Sequence, residues 1–142
     1  MAQLSEERKR AMETPQWHYA VGWSHGKEKF EGAPDLLKGS FYANPVYDEW
    51  ESVWDKNTGQ RGKFQNIWPN EDIPDIEWAF KDLGGFINQV GVKVAKNLDL
   101  YIHSWDTTYV PKLERILTNS HRQCGWLLHY FPVDTTDVKE LK

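Results

Sequence analysis

The residues best suited to hold a metal or move a proton are the histidines His18, His25, His103, His121 and His129. A non-haem iron centre built on two histidines and a carboxylate usually shows a His-x-Asp or His-x-Glu pair on a strand. None of these histidines has a carboxylate two positions on. His103 with Asp106 and His25 with Glu28 are each three apart, with no evident third ligand, and read as solvated polar groups. No Cys-x-x-Cys, His-Glu-x-x-His or calcium-loop spacing occurs. Cys124 near His121 is open to two readings, a thiol nucleophile or a small buried residue ahead of a strand. Gly22-Trp23-Ser24-His25-Gly26-Lys27-Glu28 has the outline of a phosphate-binding loop. Its glycines stand one residue too close, and Glu28 takes the place of the hydroxyl that would hold magnesium. The residues alone assemble no catalytic constellation.

The elements that would position such residues are organised around one stretch. From Pro74 to Ile102 apolar residues fall at Ile76, Phe80, Leu83, Ile87, Val90, Val94, Leu98 and Ile102. These steps of three and four give one face of a helix of about 28 residues, roughly 40 Å long. Other elements are expected to pack against that face. Gly84, Gly85 and Gly91 lie within it, which fits either a close approach by another backbone or a break at Gly84-Gly85. A short charged helix over 4–13, capped by Ser5 and stopped by Pro15, precedes it. A second helix is expected over about 108–119, with Thr107 or Thr108 as its cap, and a strand over about 124–131 ended by Pro132. Residues 16–39 and 40–69 read as loop, with one helical turn at Asp35-Leu36-Leu37-Lys38 and a polar turn at Asn57 to Lys63. The fold class that follows is mainly α with long irregular loops. Eight tryptophans then serve as packing rings against the long helix, as a ligand-stacking surface, or as rings exposed for want of a partner.

A chain of 142 residues makes one domain. A net charge of −4, with the basic cluster Arg8-Lys9-Arg10 countered by Glu6, Glu7 and Glu13, argues against nucleic acid as a partner. No apolar run reaches membrane-spanning length, and the polar N-terminal residues do not read as a signal peptide. With one cysteine there is no intramolecular disulfide, so the expected setting is the cytoplasm.

Four segments carry a resemblance when taken in order: Gly22 to Glu28, Leu37-Lys38-Gly39-Ser40-Phe41-Tyr42-Ala43-Asn44-Pro45, Asn66-Ile67-Trp68-Pro69, and Leu127-Leu128-His129-Tyr130-Phe131-Pro132. With Phe80-Lys81-Asp82-Leu83-Gly84 in the long helix, the set resembles fungal isopenicillin-N-synthase-like 2-oxoglutarate/iron(II) dioxygenases over about Leu4 to Pro132. The resemblance implies that 1–122 is an incomplete helical N-terminal region of that type. It also implies that 123–142 is the first strand of an absent double-stranded β-helix, or jelly roll, with a polar tail. Family members carry His-x-Asp, a distal histidine and Arg-x-Ser in that jelly roll, and this sequence has neither pair. The family's pocket-facing positions on the first barrel strand fall on His129 and Phe131, with Tyr130 turned away by strand alternation. No cofactor is expected in this chain, whereas Fe(II) and 2-oxoglutarate serve the intact family. The implied function is an N-terminal scaffold, inactive alone, of an oxygenase acting on a small molecule. The alternative is a non-catalytic protein docking on a partner, such as a missing barrel domain or a full-length paralogue.

Overall fold

The computed structural model describes residues 1, 3–30, 32–54 and 61–132. Helix α1 (Glu6–Ala11) starts where Ser5 accepts a hydrogen bond from the Arg8 amide at 3.3 Å, with Glu6 and Glu7 in its first turn. Met12 then drops into the core, and its carbonyl takes the Trp23 amide. That contact requires Gly22, because a Cβ there would lie 2.0 Å from the Met12 oxygen and φ is +78°.

Strands follow where loops were expected: β1 (Gly22–His25), β2 (Lys29–Phe30), β3 (Ala33–Pro34), β4 (Lys38–Ala43), β5 (Glu49–Trp54) and β6 (Arg61–Gln65). Helix α2 spans Ile76–Trp105, α3 spans Leu113–Thr118, and β7 spans Gly125–Tyr130. The fold is therefore a mixture of helix and sheet, not mainly α. β1, β4 and β7 form an antiparallel sheet in that order; β2–β3 and β5–β6 are two-stranded pairs. Asp35-Leu36-Leu37-Lys38 is not a helical turn, since the Asp35 carboxylate instead accepts the Leu37 amide. Of the expected polar turn, 57–60 lies outside the described residues, while Arg61 to Lys63 belongs to β6.

The reason the strands escaped notice is local. Each is short, and their inward positions include Ser24 and Ser40, which are polar yet buried. Pairing with each other and with β7 stabilises β1 and β4, while β2–β3 and β5–β6 are pairs of sequence neighbours, and no period-2 apolar pattern announces either. β7 itself was expected to wait for an absent barrel. It pairs instead with β4, so the division at 122/123 separates strands that are hydrogen-bonded to each other.

Phe41 is fully buried and centres the core, with Met12, Trp23 and Ala43 around it and Trp68 and Phe80 at its border. Phe80 meets Phe41 edge-on at 6.1 Å, and Trp68 at 5.5 Å. Gly125 makes room for it, since a Cβ there would stand 2.5 Å from the Phe80 ring. Buried amides brace the same region. Asn44 donates to the His121 carbonyl at 2.9 Å, while Asn66 accepts the Asn44 amide at 2.7 Å and donates to its carbonyl at 2.8 Å.

Helix α2 is continuous and longer than expected, running past Ile102 to take in His103, Ser104 and Trp105. Only its first turns enter the core. Further along, its buried residues are Ala95 and Asp99, and α3 packs on that side. Leu83, Ile87, Val90, Val94 and Leu98 are exposed. The expectation that other elements cover the apolar face is thus overturned. The second helix is also shorter than 108–119. Pro111 delays it, and its free amides are taken by Asp99 rather than by a threonine cap.

Candidate functional site

The residues singled out by the resemblance sit at one end of the three-stranded sheet. Register places His25 of β1 opposite Gly39 of β4, and Gly39 opposite His129 of β7. Side chains in one cross-strand row share a face, so the two imidazoles flank the bare Gly39. Trp23 fills the space over Gly39, where a Cβ would lie 2.3 Å from its ring. Phe131 follows β7, its amide donating to the Leu37 carbonyl at 2.9 Å. Its ring lies 4.9 Å from that of His25 and 4.8 Å from that of His129. The structure thus brings His129 and Phe131 together and adds His25, which by spacing alone reads as a solvated loop residue. The signal lay in the pairing of Gly39 with both histidine strands.

The geometry decides what this cluster can hold. Phe131 stands between the rings, and Nε2 of His25 is 2.9 Å from the Leu36 carbonyl. Among the described residues no group of three or more His, Cys, Asp or Glu side chains could hold a metal. The residues present do not fit an iron centre. What the cluster offers is an aromatic floor with one exposed imidazole, His129.

The opposite face of the sheet is closed by charge and stacking. Glu28 accepts from the Lys38 ammonium and from the Tyr42 hydroxyl at 2.7 Å, which together hold its carboxyl below the usual range. Burial, with that bond to Glu28, pushes Tyr42 up to about 12. Trp126 stacks on Tyr42 at 5.4 Å. These groups stay in one protonation state near neutral pH and act as structure.

Among the described residues no histidine pairs with Cys124. Its sulfur lies 3.7 Å from the Gly125 carbonyl, and desolvation of the sulfur pushes the thiol pKa up although the residue as a whole is exposed. The nucleophile reading therefore lacks both a base and a thiolate. Gly22 to Glu28 is β1 and the turn after it, with φ +68° at Gly26 and no helix following, so the phosphate-loop outline has no structural counterpart.

Among the described residues three tryptophans face solvent, Trp78, Trp105 and Trp126. Between α2 and β7 runs a groove of about 300 Å³ lined by Ile76, Phe80, Leu83, Ile87 and Leu127 among others. Among the described residues no helix is long and apolar enough to cross a membrane. Comparison with protein-family models, with curated proteins and with solved structures returns no match to this chain.

Proposed function

We propose that this chain is a scaffold of the isopenicillin-N-synthase-like 2-oxoglutarate/iron(II) oxygenase type, acting in the cytoplasm and oxidising nothing by itself. The observation that supports the reading is the sheet. Three of the four segments that carry the resemblance contribute its strands β1, β4 and β7. The fourth, Asn66 to Pro69, packs beneath them through Ile67 and Trp68. Segments far apart in the sequence thus share one physical task.

In this reading α2 stiffens the sheet through Phe80 and Gly84, and the free edge of β7 is where a jelly roll continues the strand pairing. Iron, 2-oxoglutarate and the small-molecule substrate belong to that jelly roll, because the His-x-Asp and Arg-x-Ser pairs do not occur in this sequence. Incubated with iron, 2-oxoglutarate and ascorbate, the 142-residue chain should release no succinate above blank. Co-expressed with the jelly roll of a full-length fungal relative stripped of its own N-terminal region, it should restore 2-oxoglutarate turnover. Succinate from the chain alone, or no turnover from the pair, would overturn the reading.

A second reading, a non-catalytic interaction protein, is favoured by one observation: the exposed apolar face of α2.

A further inference from the structure

Along one face of α2 exposed apolar residues step from Leu83 to Ile87, Val90, Val94, Leu98, Tyr101 and Trp105, with exposures between 43% at Val90 and 78% at Trp105, while Trp78, Phe86 and Leu100 are exposed beside that line. Those intervals read the same from either end, and Val94 is their midpoint. A helix face with that spacing is complementary to itself when a second copy runs the opposite way. We infer that α2 is a dimerisation helix: two copies of this chain pair antiparallel through the stripe from Leu83 to Trp105, with the two-fold axis at Val94.

The pairing that results is specific. Leu83 meets the other copy's Trp105, Ile87 meets Tyr101, and Val90 meets Leu98. Large side chains at one end therefore face smaller ones at the other, which keeps the helix spacing even along the interface. A parallel pair would set two Trp105 rings against each other at one end and two Leu83 at the other, so the helices would splay. It would also crowd both sheets together, because the sheet sits at the N-terminal end of α2, where Phe80 and Gly84 make their contacts. Antiparallel pairing holds the two sheets apart and opposes the helix dipoles. It also brings the second copy's Trp105 to the groove of about 300 Å³ bordered by Leu83, Ile87 and Leu127. An apolar recess then lies where the symmetry delivers an indole. α3 does not obstruct the stripe, since it packs on the Ala95 and Asp99 side.

The area is sufficient. With Phe86 at its edge, the stripe is somewhat more than half exposed in side chains of about 150–250 Å² for the rings and somewhat less for the aliphatics, on the order of 700 Å² of apolar surface. A stable interface takes about 800 Å² from each partner, of which about 65% is apolar, and the largest apolar patch on a monomer is about 300–600 Å².

Light scattering coupled to size exclusion tests this with the full chain at tens of micromolar. A dimer of 16.7 kDa subunits is expected. Val94→Arg, which meets itself at the axis, should give a monomer with unchanged helical dichroism. Trp105→Ala should raise the dimer dissociation constant by about 30-fold or more, the scale of a buried aromatic anchor. In a Cys124→Ser background, Val94→Cys should cross-link efficiently with a short bismaleimide. Trp105→Cys should not, because the two copies of that position lie roughly 33 Å apart at 1.5 Å per residue. Monomeric wild-type protein, or Trp105→Cys linking to itself, would overturn the inference. So would a monomer whose stripe, probed by Val94→Arg, binds the jelly roll instead. A monomer that still supports turnover with the jelly roll sinks the dimer and leaves the scaffold reading intact; a dimer that never supports turnover does the reverse.

Discussion

Gly84 and Gly85 are neighbours on one helix and have opposite reasons to be glycine. A Cβ at Gly84 would lie 2.3 Å from the Pro45 Cβ, so the loop after β4 can rest on α2 only because position 84 is bare. Nothing stands within 4 Å of a Cβ at Gly85. Glycine costs about 1 kcal/mol against alanine in a helix interior, whereas forcing an extra methyl into a packed contact costs about 1–3 kcal/mol. Gly85→Ala should therefore raise the free energy of urea unfolding by about 1 kcal/mol, and Gly84→Ala should lower it. Equal effects from the two would show that Pro45 does not press on the helix. Pro45 belongs to a loop tied down by the buried amide of Asn44, which accepts the Val46 and Tyr47 amides at 2.9 and 3.0 Å.

At the scale of elements, the α2–α3 junction hangs on one carboxylate. Asp99 is almost fully buried and accepts the Tyr109 hydroxyl at 2.7 Å, the Lys112 and Leu113 amides at 3.1 Å and the Glu114 amide at 3.0 Å. Burial alone would raise its pKa, but these four donors outweigh it and hold the carboxyl well below the usual range. Because the folded pKa is the lower one, the stabilisation is complete above the unfolded value near 4. It then declines as pH falls below that value and is gone once pH has fallen through the depressed folded value. Amide exchange at Leu113 and Glu114 should thus stay slow at pH 4, when ordinary carboxylates are half protonated, and quicken only under stronger acid. Asp99→Asn should abolish that protection at every pH, since an amide has one acceptor oxygen and carries no charge. Protection lost in step with ordinary carboxylates would refute the role.

For the whole molecule, the unequal distribution of apolar surface matters most. The core around Phe41 takes only the first turns of α2, and the remainder of the longest helix shows its apolar side to solvent. A monomer in that state is less stable than its self-associated form, so mass action links stability to concentration. Thermal unfolding of the wild-type chain should shift upward as protein concentration is raised tenfold, and the midpoint of Val94→Arg should not move. A wild-type midpoint independent of concentration would count against association. The same asymmetry separates two kinds of work: the sheet with its β7 edge serves the proposed scaffold role, and the helix stripe serves pairing.

The amino-acid sequence by itself determined what local forces settle. Ser5 ahead of paired glutamates starts α1, the three-and-four spacing runs α2 from Ile76 to Ile102, and the aromatic run before Pro132 makes β7. It also shows that neither a His-x-Asp nor an Arg-x-Ser pair occurs in it. Tertiary structure alone decided what depends on meetings between distant residues. Ser24 and Ser40 became sheet interior, Asp99 capped a helix it precedes by many residues, and His25 came into line with His129 across Gly39. It likewise decided that the apolar side of α2 would be left open. A helix pattern specifies that a face should be covered, but only the positions of the other elements specify whether anything reaches it.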